Sequence, residues 1–223
     1  MNNQKNILFS EYDMDGLSLR NRVVMAPMTR NFSPNGVPKD YAPTYYARRA
    51  QGGVGLIITE GVEVSHHAAS GYPNCPNLES DDAKRMWEKV VNEVHENNSS
   101  IFCQLWHVGG IRKPGMPPNP EVPGFTPSGY VRPGKKVAHE MSHEEIQELI
   151  YIYSEDTKAC EELGFDGVEI HGAHGYLIDQ FFWDQINHRD DEYGGNIKNR
   201  SRFASEILQA AKALSLIHIS EPT

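Results

Sequence analysis

The sequence predicts an α/β protein whose strands run parallel. Short apolar runs rich in β-branched residues alternate with amphipathic helical patterns. The runs are apolar at nearly every position, as strands buried on both faces should be. At 223 residues the chain is long enough for one continuous core. Helical crossovers between parallel strands are right-handed, so four such units form either a small doubly wound sheet or half of an eight-fold barrel.

The elements follow in order. Residues 12–22 carry Asp15-Gly16 between alternating residues, a hairpin signal ahead of the repeating units. The four strand candidates are Val23-Val24-Met25-Ala26-Pro27-Met28, Gly55-Leu56-Ile57-Ile58-Thr59-Glu60, Ile101-Phe102-Cys103-Gln104-Leu105-Trp106 and Gly167-Val168-Glu169-Ile170-His171. Between them, residues 40–50 form a helix stopped by Gly52-Gly53. Ser80 caps a helix whose Met86, Trp87, Val90, Val91 and Val94 recur at helical spacing. Ser142 and Glu145 make a capping-box pattern before Ile146, Leu149, Ile150 and Tyr153, and Gly164 closes that helix. A fourth helix spans residues 199–214. Residues 109–136 hold seven prolines without periodicity, a long insertion that is either functional or disordered.

Bulk composition excludes several classes. The net charge of −9 is spread along the chain with no basic block, which disfavours nucleic acid and anionic membranes as partners. No apolar run approaches the roughly 20 residues a bilayer span needs. Cys75, Cys103 and Cys160 stand far apart, and residues 1–5 are polar with no apolar leader, which together point to the reducing cytoplasm. No Gly-x-Gly-x-x-Gly opens a helix and no phosphate-binding loop is present.

The strongest chemical signal is His171-Gly172-Ala173-His174-Gly175-Tyr176, directly after the fourth strand. Two imidazoles three residues apart on a glycine-rich turn offer two N–H donors to one oxygen, and a phenol two residues on supplies a proton from another direction. The competing readings are satisfied turn histidines or two zinc ligands. The zinc reading lacks an evident third ligand and the His-x-x-x-His helical spacing.

Other candidates lie at the remaining strand ends. In Ala26-Pro27-Met28-Thr29, Pro27 fixes backbone direction and the Thr29 hydroxyl can donate to a ring heteroatom. Glu60-Gly61 offers backbone that a flat ligand approaches closely. Gln104 and Trp106 share a strand face; the amide matches an imide edge, while Trp106 is equally read as core. His66-His67 reads as a solvated loop pair, and Arg48-Arg49 and Lys135-Lys136 as solvated faces. Carboxyl strand ends form the catalytic rim of βα barrels.

These motifs resemble a known family. Asn21-Arg22-Val23-Val24-Met25-Ala26-Pro27-Met28-Thr29-Arg30, Ile58-Thr59-Glu60-Gly61 and Gln104-Leu105-Trp106-His107 resemble the first three strand ends of the Old Yellow Enzyme family. The run from His171 through Tyr176 to Asp179-Gln180-Phe181-Phe182, then Asn187, Arg189, Tyr193-Gly194-Gly195 and Asn199-Arg200, resembles its most specific block. The resemblance covers residues 7–214 and implies a (β/α)₈ TIM barrel of which only the N-terminal half is present.

It also implies FMN as cofactor and NAD(P)H as reductant of an ene-reductase acting on enones or nitroalkenes. Ala26, Pro27, Met28, Thr29, Gly61 and Gln104 would hold the flavin. His171 and His174 would bind the substrate oxygen, Trp106 would shape the pocket, and Tyr176 would protonate the α-carbon. Some relatives carry asparagine where His174 stands. A 2,4-dienoyl-CoA reductase-like flavoenzyme and an inactive fragment are the alternatives. Residues 1–214 form the half-barrel; residues 215–223 do not resemble the family's fifth strand and read as an unassigned, possibly artefactual tail. Half a barrel leaves strand edges open, so the chain is expected to self-associate and hold FMN poorly. The physiological alkene, NADH versus NADPH and the oligomeric state stay open.

Overall fold

Asp15 and Gly16 reverse the chain with φ of 49° and 96°, the paired left-handed conformations of a two-residue hairpin turn. They join β1 (Tyr12–Met14) to β2 (Leu17–Leu19), antiparallel with Tyr12 opposite Leu19. The computed structural model describes residues 7–215 and 217–220. The polar residues 1–5, and positions 216 and 221–223 of the unassigned tail, lie outside the described residues.

The main sheet uses β3 (Val24–Met25), β4 (Leu56–Glu63) and β5 (Ser100–Trp106). The insertion follows, with β6 (Phe125–Thr126), β7 (Tyr130–Arg132), β8 (Lys135–Lys136) and β9 (His139–Glu140). Then β10 (Gly167–Ile170) and β11 (His218–Ser220) return to the main sheet. The order β11-β10-β5-β4-β3 is sequential and every pairing is parallel. A doubly wound sheet reverses direction at a switch point, whereas a barrel adds each strand beside the last. The sequential order therefore belongs to a partial barrel, and the sheet does not close among the described residues.

Two strand expectations change. The first run shortens to Val24–Met25 because Pro27 has no N–H for a ladder and the chain peels away from the sheet. In the tail, Gly167 pairs with His218, Val168 with Ile219 and Glu169 with Ser220, so part of the segment left unassigned forms a fifth parallel strand. It covers the edge of β10 that four units would have left open.

Helices α1 (Ala42–Gln51), α2 (Asp81–His95) and α3 (His143–Glu162) match three expected helices. Ser80 accepts the amide N–H of Ala83, and Ser142 with Glu145 forms the reciprocal capping box. The fourth helix is divided into α5 (Ile197–Arg200) and α6 (Arg202–Leu214), joined at Ser201. A short α4 (Leu177–Phe182) precedes them, too brief to leave a periodic trace in sequence. The insertion is ordered. Buried Arg112 gathers it by donating to the carbonyls of Ser70, Met116, Asn119 and Val122.

The pleat decides what the sheet does with each face. In β5, Ile101, Cys103 and Leu105 join Trp87, Val90, Val91 and Val94 of α2 in the main core. On the opposite face Phe102 packs with Leu19, Leu56 and Ile58, so the β1–β2 hairpin plugs the amino end of the sheet. Gln104 and Trp106 lie on that same inner face at the carboxyl end, beyond the plug. Val168 and Ile170 of β10 enter the main core, which turns Glu169 and His171 inward beside them.

Candidate active site

At the carboxyl rim a cavity of about 360 Å³ is lined by Ala26, Pro27, Thr29, Gln104, Trp106, Glu169, His171, Ala173, His174 and Tyr176. It therefore brings together residues from three strand ends separated by up to 150 positions. Each predicted catalytic residue lies on it, as do Ala26, Pro27, Thr29, Gln104 and Trp106.

The turn after β10 is built by left-handed backbone. His174 has φ 60° and Gly175 φ 73°. Histidine is among the few non-glycine residues that adopt this region readily. The turn is pinned from three sides. Gly175 N–H donates to Asp179 at 2.7 Å, Gln180 Nε2 to the Gly175 carbonyl at 2.6 Å, and Leu177 N–H to the His107 carbonyl at 3.1 Å. This places the His171 ring 5.4 Å from that of His174 and 5.0 Å from that of Tyr176, both edge-on.

Protonation follows from the surroundings. His171 Nδ1 accepts the Ala173 N–H at 3.3 Å, which leaves the proton of the neutral ring on Nε2. Burial, reinforced by nearby His174, lowers the His171 pKa to about 4. His171 is thus a neutral N–H donor at neutral pH. Its folded value lies below the ordinary 6.5, so the unfolded chain binds the extra proton between about 6.5 and 4. Its contribution to stability is present above that window and is lost as pH falls through it. In ¹⁵N NMR at pH 6, His171 should show one protonated nitrogen, Nε2; two protonated nitrogens would contradict the assignment. Burial, then the hydrogen bond with Tyr72, raises the Tyr176 pKa above the ordinary phenol value, so its proton is retained at neutral pH.

Trp106 is buried in a cluster with Cys75 and Val108 and also borders the cavity. Its indole stacks on Tyr72 at 5.6 Å and on His171 at 6.1 Å, with the Tyr176 ring edge-on at 5.0 Å. Two residues expected to hold the cofactor do not line this cavity. Met28 is 54% exposed and does not line the cavity. Gly61 lies inside β4 opposite Gln104, not beyond the strand, and a Cβ there would meet Trp106 Cε3 at 2.5 Å. Its missing side chain makes room for the indole. Gly61→Ala should push the indole from its stack and cost about 1–3 kcal/mol, visible as a lower denaturation midpoint; an unchanged midpoint and fluorescence would contradict this.

His66 is another correction. It is buried, not solvated, with Nδ1 2.9 Å from His107 Nε2, while neighbouring His67 is exposed. Burial beside His67 lowers the His66 pKa to about 4, so the pair acts as a neutral strut under the rim.

Two residues of the rim were not among the sequence candidates. Glu169 accepts from Gln104 Nε2 at 2.6 Å, and Tyr72 hydroxyl lies 3.2 Å from that of Tyr176. Glu169 alternates with core residues in β10 and was open to inference from the pleat. Tyr72 sits in a loop with no sequence pattern linking it to the site. Among the described residues no three histidine, cysteine or acidic side chains converge as metal ligands.

The NADH:flavin oxidoreductase / NADH oxidase family profile matches residues 7–215. The chain belongs to that family. It is 38% identical over 211 residues to 12-oxophytodienoate reductase 1 of Oryza sativa subsp. japonica, covering 92% of this chain and 55% of the relative. Flavin oxidoreductase hxnT of Emericella nidulans is 42% identical over 215 residues, with 91% and 55% covered. The chain spans about half the length of the curated relatives it matches. Among solved structures, Old Yellow Enzyme from Pichia sp. AKU4542 superposes with a TM-score of 0.88 at 32% identity, covering 96% of this chain and 58% of that one. Morphinone reductase in complex with tetrahydroNAD superposes at 0.86 and 32% identity, with 96% and 63% covered. The flavoprotein family and the barrel architecture expected from the sequence are thereby established.

Proposed function

We propose that this chain carries the substrate half of an FMN-dependent reductase that uses NAD(P)H to reduce the C=C bond of activated alkenes. The observation that carries this reading is the single cavity shared by His171, His174, Tyr176 and the Thr29–Gln104–Glu169 wall. FMN, when bound, supplies a carrier that takes hydride from NAD(P)H and passes it to the alkene β-carbon.

The wall fits the ring of that cofactor by its donor set. Thr29 offers a hydroxyl, and Gln104 offers its carbonyl oxygen and the amide hydrogen not given to Glu169. Ala26 and Pro27 offer an open backbone edge. Met28, through its backbone, and Gly61 are expected at the same ring edge, although neither lines the cavity itself.

On the facing side, His171 donates from Nε2 to the carbonyl or nitro oxygen of the alkene, and His174 supplies the second donor. As hydride adds, negative charge grows on that oxygen, so both hydrogen bonds strengthen toward the transition state. A neutral His171 keeps its proton through this change. Tyr176 gives its phenolic proton to the α-carbon from another direction, which completes the saturated product. Trp106 bounds the space for the alkene.

Small activated alkenes and NAD(P)H are the partners this chemistry requires. Among the described residues no helix is long and apolar enough to cross a membrane; the three cysteines are free and buried, in keeping with a reducing cytoplasm. The test, on the full-length protein, is an anaerobic reconstitution with FMN, reduction by NADPH, then addition of cyclohexenone. The oxidised flavin absorbance should return on mixing; failure to reoxidise with any activated alkene rejects the proposal.

A further inference from the structure

Protonation by Tyr176 consumes one proton per turnover, and the side of Tyr176 that faces the cavity is where the alkene would lie. The structure offers a second side. Tyr72 hydroxyl is 3.2 Å from Tyr176 hydroxyl, and Tyr72 also lines a separate cavity of about 320 Å³. That second cavity is bordered by Glu63, Ser70, Asn74, Cys75 and Asn77.

Glu63 is 7% exposed at the carboxyl end of β4, and its Oε1 has no hydrogen-bond partner. A buried carboxyl oxygen without a partner is costly, and the alkene-binding residues do not use it. The groups that act on Glu63 are Ser70 and Cys75, Arg112 as the nearby cation and Glu79 as the nearby anion. Burial dominates them and raises the Glu63 pKa to about 7, so both protonation states are populated at neutral pH. Cys75 lines the same cavity as Glu63 and packs with Trp106, Tyr72 and Tyr176. The cavity that Tyr72 and Glu63 both line is large enough for bridging water.

We propose that Tyr72 is a positioning residue that hands protons to Tyr176 from the second cavity, with Glu63 as the proton-exchanging group at its far end. The inference rests on the alkene-reductase reading and deepens it. As the Tyr176 O–H bond breaks, its proton forms the new C–H bond with the electron pair on the α-carbon. The Tyr72 O–H bond breaks as the Tyr176 O–H bond re-forms. Water in the second cavity reprotonates Tyr72, the Glu63 carboxyl reprotonates that water, and the Glu63 carboxylate takes a proton from solvent. No oxidant or further reductant is needed. In the transition state Tyr72 also donates to the developing charge on the Tyr176 oxygen, which is where its effect on rate arises.

The test is a proton inventory on oxidation of the NADPH-reduced flavoprotein by cyclohexenone. The wild-type rate should curve with deuterium fraction, because two protons move together. Tyr72→Phe keeps the ring on Trp106; it should be about 10- to 100-fold slower, as loss of one hydrogen bond to a charged group implies, and its inventory should be linear. Steady-state turnover should fall as pH rises through about 7, and Glu63→Gln should abolish that fall. A readout independent of flavin is the infrared carbonyl stretch of a protonated carboxyl in the flavin-free chain. It should vanish as pH rises through the same window and be missing in Glu63→Gln. A linear wild-type inventory, a Tyr72→Phe rate equal to wild type, or no such carboxyl band would each overturn the relay while leaving alkene reduction intact. Reduced wild-type flavin that no activated alkene reoxidises would instead reject the reading on which the relay depends.

Discussion

Tyr176→Phe is expected to slow oxidation of the reduced flavin by an activated alkene about 10²- to 10⁴-fold, the range of one general acid, while reduction of the flavin by NAD(P)H keeps its rate. The two half-reactions differ in what they ask of this chain. Reduction of the flavin is a hydride transfer that needs no proton from the phenol. Oxidation by the alkene leaves an electron pair on the α-carbon that must be protonated. Phenylalanine keeps the ring edge-on to Trp106 and His171 but removes the proton and the link to Tyr72. Stopped-flow absorbance on each half-reaction checks this directly. Equal loss in both would mean that Tyr176 positions the ring system and is not the acid.

The selectivity of that effect depends on Tyr176 remaining protonated. Burial acts first and the hydrogen bond with Tyr72 adds to it, both raising the phenol pKa. A raised folded value means the native state holds the proton more tightly than the unfolded chain does. The effect of Tyr176→Phe should therefore be flat across the neutral range, with no loss of the wild-type acid until strongly alkaline pH. His171 complements it, since its lowered pKa keeps that ring a neutral donor over the same range. Two neighbouring groups with values pushed in opposite directions divide the work of donor and acid between them.

How much of this was legible depends on the range of each signal. Helix caps are local, so Ser80 and the Ser142/Glu145 box fixed the starts of two helices from three or four residues of sequence. The period of two along β5 put Gln104 and Trp106 on one face, and the structure has them on one cavity wall. The dense block from His171 to Tyr176 was readable because its residues are neighbours. Long-range partners were not. Nothing near Tyr72 in sequence points to Tyr176, 104 positions away. The order inside residues 109–136 rests on the Arg112 guanidinium meeting four carbonyls, and backbone carbonyls leave no mark on a residue pattern. The tail failed for a different reason. Three residues are too few to show periodicity, yet the exposed ladder of β10 accepts any short extended segment that reaches it. Gly61 carries a constraint the pattern did not show: glycine in a strand marks a close approach, and one approaching group is the Trp106 indole of the same chain.

The largest stability effect is expected at Arg30, one residue beyond the cavity wall. Its guanidinium pairs with Glu60, which is 1% exposed within β4, and lies over the Tyr45 ring at 4.1 Å. Within the pair Arg30 Nε donates to Oε1 at 2.8 Å; the other support is the Arg30 amide to Oε2 at 3.3 Å and Tyr46 hydroxyl to Oε1 at 3.3 Å. Arg30→Met removes the cation and leaves a buried carboxylate with only the phenol and one amide. Breaking a buried pair from one side costs about 3–5 kcal/mol, more than the roughly 1 kcal/mol loss of a helix cap such as Ser80→Ala. Urea denaturation should show that drop. Because the cost comes from the stranded charge rather than from the lost attraction, Arg30→Met with Glu60→Gln should recover most of it. Equal midpoints for the single and double variants would show that Arg30 acts through its packing on Tyr45 and Tyr46 instead. The pair also fixes the path of the chain from Pro27 through Thr29 across the top of β4. The same Arg30→Met variant should therefore weaken FMN retention even at temperatures where it remains folded, which equilibrium dialysis against free FMN would measure.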